Sequence, residues 1–263
     1  MTQDSISPEA LRELVPNTIF AEHIHHFDEI DSTNSAAMLA AQSGAAEGSV
    51  FIAERQTEGR GRGGNIWHSE AGALMFSVVL RPRVAANNIL ILSLATGLAA
   101  SAAVEQVSGI VPDLRWPNDI LLGEKKLGGI LCELNIDAGN VRHAVIGIGV
   151  NVNQEKFPEG ISEIATSLRQ ETGKAWPRVE LIAALLHALH KEYQLLQAAP
   201  AHAMQSCIHR FEERSSYARG KRVKVAEGGS FEGVTVGLDE RGFLRVKTAE
   251  GERLVISGGV RPA

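Results

Sequence analysis

The chain has 263 residues, 44% hydrophobic and 22% charged, a balance that excludes disorder as the dominant state and fits one large core or two unequal domains. Its 26 lysines and arginines against 31 aspartates and glutamates give a net charge of −5, which argues against duplex nucleic acid as a bulk partner. The two cysteines, Cys132 and Cys207, form neither a disulfide framework nor a CxxC pair, and the first twenty residues lack the basic start and apolar run of a secretion signal, so a reducing, cytoplasmic setting is expected.

In chain order, a short helix is predicted over 7–14, with Ser7 as cap and Pro8 in the first turn, followed by a strand over 20–27. Asp31-Ser32-Thr33-Asn34 then opens an alanine-rich helix to Gln42, its small polar side chains suited to the free N–H groups of a helix start, and Gly44 ends it. Strands are expected over 49–53, 74–80, 120–122, 130–134 and 141–152. The uncharged stretch 84–104 could pass for a membrane span, but Asn87, Asn88, Ser93, Thr96 and Ser101 dilute it, and a buried helix from Ile89 is the reading. Residues 178–197 repeat leucines at helical spacing. From Lys221 the texture changes to short alternating strands over 222–225, 231–236, 243–247 and 252–256, broken by turns such as Gly228-Gly229: a small β-barrel of roughly 45 residues that should lean on its neighbour for stability. Strands and helices alternate without a strict βαβ repeat, so the fold class is α+β, a mixed sheet with helices, divided into domains over 1–214 and 215–263.

The strongest local signal is Gly59-Arg60-Gly61-Arg62-Gly63-Gly64. Glycines let backbone N–H groups approach an anion, and arginines add bidentate donors, so the loop suits phosphate or carboxylate; a solvated surface loop is the bland alternative. The run also spells GxGxxG, but a strand-like segment follows and no acid stands where a ribose would need one, so a dinucleotide fold is unsupported, as is a P-loop. Trp67 is placed to cover a purine, or else is a core residue.

Further along, Pro117 breaks a strand in Arg115-Trp116-Pro117-Asn118-Asp119 and presents Asn118 and Asp119 at a bend. Lys125-Lys126 precede the Gly128-Gly129 pair, where a ligand or another strand can approach the backbone. In Ile146-Gly147-Ile148-Gly149-Val150-Asn151-Val152-Asn153 both glycines share one strand face with both asparagines, which makes either a slot for a flat substrate or a place of close packing. His23 and His25 would share a strand face, but without a third ligand no metal site is expected.

The ordered set Asp-Ser-Thr-Asn, Gly-Arg-Gly-Arg-Gly-Gly with its tryptophan, Trp-Pro-Asn-Asp, Lys-Leu-Gly-Gly-Ile-Leu and Gly-Ile-Gly-Val-Asn resembles the biotin protein ligases, from about residue 28 to the C-terminus. The resemblance implies a catalytic domain similar to class II aminoacyl-tRNA synthetases with an SH3-like C-terminal barrel. It implies two steps: biotin and ATP give biotinyl-5′-AMP and pyrophosphate, and a lysine of the biotin carboxyl carrier protein of acetyl-CoA carboxylase then takes the biotinyl group. By motif position, Ser32, Thr33, Asn34 and Gln56 would hold the biotin rings, and residues 59–62 (Gly59, Arg60, Gly61, Arg62) would form the loop that orders over the adenylate. Gly129, Gly147 and Gly149 would line the slot, and Lys126 would sit on the biotin carbonyl and phosphate oxygens. Trp67 would stack on adenine, Asn151 would bond its edge, Asn118 would lie near the phosphates, and Asp119 would orient or deprotonate the incoming amine. Catalysis would thus rest on Lys126, Arg62 and Asp119. Magnesium is expected with ATP, without a dedicated protein cage.

The chain departs from the family at Arg115, where lysine is usual. With thirty residues ahead of Asp31, no DNA-binding winged helix and no repressor function are expected, nor any membrane partner; a homodimer through an exposed sheet edge is compatible with the reading. Arginine and glycine dominate residues 59–66 and few apolar side chains anchor them, which predicts a loop that is mobile without ligand and orders over the adenylate. The competing readings are a lipoate ligase, an octanoyl transferase working through Cys132, and a nucleic-acid-binding module gripping RNA with the Gly-Arg loop.

Overall fold

The computed structural model describes residues 6–68, 71–137, 140–227 and 229–263; Gly228 of the expected Gly228-Gly229 turn lies outside them. Helix α1 (Pro8–Leu14) starts where Ser7 Oγ accepts the Ala10 N–H. Strand β1 (Ile24–Ile30) begins later than expected because its pairing with β2 (Val50–Gln56) runs from Ile24 opposite Val50 to Ile30 opposite Gln56, while Phe20 is fully buried in the core instead. Between them lies α2 (Thr33–Gln42), capped by Ser32. Then follow β3 (Ala73–Leu80), α3 (Leu90–Ser108), β4 (Asp113–Arg115), β5 (Asp119–Leu122), β6 (Lys125–Asp137) and β7 (Asn140–Asn151).

These strands form one seven-stranded sheet in the order β1-β2-β3-β7-β6-β5-β4, with β1 and β2 parallel and every other neighbouring pair antiparallel. The mixed sheet agrees with the sequence reading. β6 is far longer than the apolar run at 130–134 suggested, because pairing with β7 carries it from Gly128 to Asp137.

Side chains alternate across a strand, so each face of the sheet has its own fate. One face, with Leu74, Phe76, Ile130, Ile146 and Ile148, packs into the main core against α3 and two later helices, α5 (Arg178–Ala198) and α6 (Pro200–Arg214). α3 is long and apolar enough to cross a membrane by composition, but it is a core helix here: Gly97 faces Ile130, Leu114 and Phe211. Sequence reading missed α6, which buries Ala203, Met204, Cys207 and Phe211 with Ile208 packed beside them; it also missed β4 and the short α4 (Leu168–Thr172). On the other face α2 lays Ala37 and Ala41 over Phe51, Val79 and Val145. Beyond that patch, along the same face, come Ser77 and Met75 of β3, Gly147 and Gly149 of β7, and Leu131 and Gly129 of β6. Only the first turn of α2, through Thr33 and Asn34, reaches over Ser77 and Gly147 among the described helices, and the glycines hollow the surface.

The C-terminal segment forms a five-stranded antiparallel sheet in the order β11-β10-β9-β8-β12 from β8 (Arg219–Ala226), β9 (Ser230–Leu238), β10 (Leu244–Thr248), β11 (Gly251–Val255) and β12 (Gly259–Pro262). The last strand was not foreseen. This unit leans on the first as expected: its Val223, Val246 and Val260 join the main core, the Trp116 indole N–H donates to Gly242 O at 2.9 Å, and Glu212 Oε1 accepts from Leu238 N at 2.6 Å.

Candidate active site

This part of the sheet is the floor of a cleft lined among others by Ser32, Thr33, Asn34, Gln56, Arg60, Arg62, Trp67, Asn118, Lys126, Gly129, Gly147 and Gly149. Twelve of the positions expected from motifs, spread over more than a hundred residues, therefore meet in one place, as does Gly61.

At one end the first turn of α2 presents a polar chain. Gln56 Oε1 accepts from Thr33 N at 2.7 Å and from Thr33 Oγ1 at 3.1 Å. Ser77, wholly buried in the middle of β3, has its Oγ 2.8 Å from Thr33 Oγ1 and donates to Asn34 Oδ1 at 2.6 Å. Asn34 Nδ2 donates to Glu133 Oε2 at 2.8 Å. Ser32 is the helix cap, so its hydroxyl faces the N–H of Ser35. Ser77 and Glu133 escaped the sequence reading. Each is a lone polar residue inside an apolar strand run, a pattern that marks a buried partner for something polar.

The two strand glycines are required by space. A Cβ on Gly147 would lie 2.0 Å from Asn34 Oδ1, and one on Gly149 would lie 2.6 Å from the Trp67 ring. The close-packing alternative thus holds in this structure: Asn34 and Trp67 fill the hollows above the glycines, and both still face the cleft.

Trp67 gets there because the Gly-Arg segment is itself a small hairpin. Trp67 N donates to Gly59 O, Gly61 N donates to Asn65 O at 2.7 Å, and the tip turns through Gly63 and Gly64 at φ of 69° and 80°, a region glycine enters without strain. Gly59 lies on the outer side of this hairpin, along a neighbouring groove with Glu58 and Ile66. Arg60 ion-pairs with Glu133 at 2.9 Å, and Arg62 NH1 donates to Gly258 O of the C-terminal sheet at 2.5 Å. Burial lowers the Arg62 pKa while Asp119 and Glu227 counter it. The Trp67 Nε1 hydrogen is buried and has no acceptor among the described residues, which leaves a donor for a ligand atom.

Opposite the polar chain stands Lys126. Gly129 leaves room for its tail, since a Cβ there would meet Lys126 Cε and Nζ at 3.1 Å. Its Nζ pairs with Asp119 Oδ1 at 2.6 Å, and Asp119 Oδ2 accepts from Arg115 Nε at 3.1 Å and NH2 at 2.6 Å. Burial pushes the Asp119 pKa up, but Lys126 and Arg115 outweigh it and the net shift is downward. Asp119 is therefore a fixed carboxylate and a poor base, while Arg115 neutralises it and leaves the cluster with net positive charge toward the cleft. Arg115 serves this ion pair and lies 5.7 Å from the Tyr217 ring, so its departure from lysine is spent on a two-pronged hold of Asp119.

Asn118 lines the cleft with its Nδ2 donating to Ile130 O at 2.9 Å. Asn151 does not line it. Its Nδ2 donates to Thr166 O at 3.0 Å and its Oδ1 accepts from Gln154 Nε2 at 3.0 Å, so it clamps the segment after β7 behind Lys126. Cys132 is not among the lining residues either; burial first, and Glu133 second, push its thiol pKa up to about 12. The histidines stay apart: His25 stacks on Phe51 and His26 pairs with Glu54. Among the described residues no His, Cys, Asp or Glu cluster could hold a metal ion.

A cleft with a polar hydrogen-bonding end, a cationic opposite wall and a glycine-arginine hairpin as its cover can bind a polar ring system and hold two anionic groups together. Comparisons with known proteins agree. Residues 27–151 match the profile of the biotin/lipoate A/B protein ligase family, and residues 219–260 match the biotin protein ligase C terminal domain. The bifunctional ligase/repressor BirA of Bacillus subtilis is 33% identical over 97% of this chain and 78% of its own length. The biotin--[acetyl-CoA-carboxylase] ligase of Paracoccus denitrificans is 31% identical over 86% of this chain and 94% of its own. The Aquifex aeolicus biotin protein ligase, solved in complex with biotin and ATP, superposes with a TM-score of 0.80 at 33% identity, covering 92% of this chain and all of that one.

Proposed function

The chain belongs to the biotin protein ligase family, and from that premise we propose that it activates biotin with ATP and transfers it to a lysine of the biotin carboxyl carrier protein of acetyl-CoA carboxylase. The observation that carries the reading is the meeting of Lys126, the Gly-Arg hairpin and the polar chain from Gln56 to Asn34 in one cleft.

In the first step a carboxylate oxygen of biotin attacks the α-phosphorus of ATP, the bond to the β-phosphate oxygen breaks, and pyrophosphate leaves. Both reactants are anionic. The ammonium of Lys126, with Asn118 near it, offsets charge where the two meet, and the fixed position of that ammonium means that little reorganisation is needed in the transition state. Ser32, Thr33, Asn34 and Gln56, backed by Ser77, match the alternating donors and acceptors of a cyclic urea. Trp67 covers the adenine and offers its free Nε1–H; Arg60 and Arg62 hold the hairpin down over the anhydride and keep water out.

In the second step the lysine amine attacks the acyl carbon, the bond to the AMP oxygen breaks, and the amine loses its proton. Asp119 holds Lys126 in place; its lowered pKa favours that role over taking this proton. Asn151 acts from behind, by bracing the backbone of Lys126, to which it donates at 3.4 Å. Magnesium enters with the triphosphate as part of the substrate, and the described residues offer it no acidic cage.

The catalytic unit spans 1–214 and the barrel 215–263 in this reading. The acidic balance supports a protein and not DNA as the macromolecular partner, in the cytoplasm. Of the two ends of the large sheet, β4 is short and its Asp113 is bonded to Ser216, so β1 is the edge on which a homodimer would pair. Pyrophosphate exchange into ATP, with biotin, lipoate or octanoate as the acid, followed by transfer to a purified carrier domain, tests the proposal. Exchange with biotin and labelling of the carrier support it; exchange with lipoate alone refutes the substrate.

A further inference from the structure

β6 carries Gly129, Leu131 and Glu133 on the face that forms the cleft floor, opposite Gly149, Gly147 and Val145 of β7. Gly129 and Leu131 line the cleft; Glu133 stands one step further out, in the wall of the neighbouring groove behind Arg60. Its Oε2 accepts two hydrogen bonds at once, from Asn34 Nδ2 at 2.8 Å and from Arg60 NH2 at 2.9 Å. The other contact of Asn34 Nδ2 among the described residues is longer, to Leu131 O at 3.3 Å.

A carboxylate accepts and does not donate, so at this position it dictates the orientation of the Asn34 amide. Nδ2 must face Glu133, which turns Oδ1 toward Ser77 Oγ and the space above Gly147. The same oxygen fixes the Arg60 guanidinium, and with it the first strand of the hairpin. One atom therefore joins the recognition end of the cleft to its cover.

We infer that Glu133 is a positioning residue for the ligation reaction, coupling the orientation of Asn34 to closure of the Gly-Arg hairpin through a single shared carboxylate oxygen. The inference rests on the ligase reading above. It makes retention of the activated intermediate depend on a residue that touches no substrate.

The experiment uses the full chain loaded with tritiated biotin and ATP, and follows loss of the labelled adenylate after an unlabelled chase. Glu133→Gln keeps an acceptor for Asn34 but removes the charge that holds Arg60. It should release the adenylate about threefold to fivefold faster, the range of one partly exposed ion pair, whereas release from the wild type should quicken with added salt and release from this variant should not. Arg60→Gln should do the same, and the double variant should be no faster than either alone, because both changes break one link. Glu133→Ala should in addition weaken biotin binding itself about tenfold, since Asn34 loses its partner. Melting temperatures for each variant separate this from loss of fold. Release at the wild-type rate from Glu133→Gln, or effects that multiply in the double variant, overturns the inference while leaving the ligase reading intact. A wild-type chain that forms no adenylate from biotin and ATP refutes that reading, and this inference with it.

Discussion

Replacing Asp119 by Asn removes the centre of the Arg115–Asp119–Lys126 cluster without changing its shape. Both cations lie 2.6 Å from a carboxylate oxygen, and Arg115 and Asp119 are almost wholly covered. Removing one member of a buried pair costs about 3–5 kcal/mol because the partner charge is left uncompensated. Lys126 is about a third exposed and can recover water, so the lower end, about 3 kcal/mol of stability, is expected. The effect on the reaction is separate. An ammonium no longer fixed at the meeting point of carboxylate and α-phosphate loses a positioned donor, worth roughly a hundredfold to a thousandfold in rate. The pH dependence has a definite sign: the folded pKa lies below the ordinary 3.8, so the pair contributes fully above that value and its contribution is lost as pH falls through the lower folded value. Wild type should therefore lose this stabilisation only in the acid limb below about pH 4, and Asp119→Asn should lack that loss. Pyrophosphate exchange isolates the first step, and transfer from preformed adenylate to a carrier domain isolates the second. Positioning of Lys126 predicts collapse of exchange with the larger defect in the first step. Normal exchange with a defect confined to transfer would show that Asp119 is the base for the acceptor amine and would refute the present reasoning.

Gly149→Ala places a methyl group 2.6 Å from the Trp67 ring, which must swing away; adenylate binding measured by calorimetry should weaken at least tenfold, with a stability cost of about 1–3 kcal/mol from overpacking. Arg62→Ala cuts the tie to Gly258 O and should mainly accelerate loss of the adenylate in a chase experiment, leaving biotin affinity within about twofold. Cys132→Ser should leave carrier labelling within about twofold of wild type, since a thiol pushed up to about 12 is no nucleophile at neutral pH; a trapped acyl-enzyme that disappears in this variant would favour a transferase instead.

The apolar runs at 74–80 and 146–150, the Ser32 cap before an alanine-rich helix and the leucine stripe of 178–197 were legible because each is a local preference expressed along its own element. Helix α6 keeps its apolar residues at helical spacing but is polar over most of its length and went unread, whereas β4 and β12 are too short to carry a period, so partners define those strands and not their own residues. At the site, the glycine-arginine run and Lys126 declared themselves through unusual composition. Glu133 and Ser77 did not, because a single polar residue in a strand acquires meaning only from what lies across the sheet.

By itself, then, the sequence determined which chemistry is present: flexible backbone beside rigid cations, a capped helix start, and glycines where two strands must be bare. Tertiary structure alone decided which groups share an atom. That Asn34, Glu133 and Arg60 meet at one oxygen, that Arg115 and Lys126 divide one carboxylate, and that Asn151 braces a backbone behind the cleft follow from strand register and loop closure over distances of up to about a hundred residues. Local propensity has no term for such pairings; they are fixed only when burial forces every polar group to find a partner.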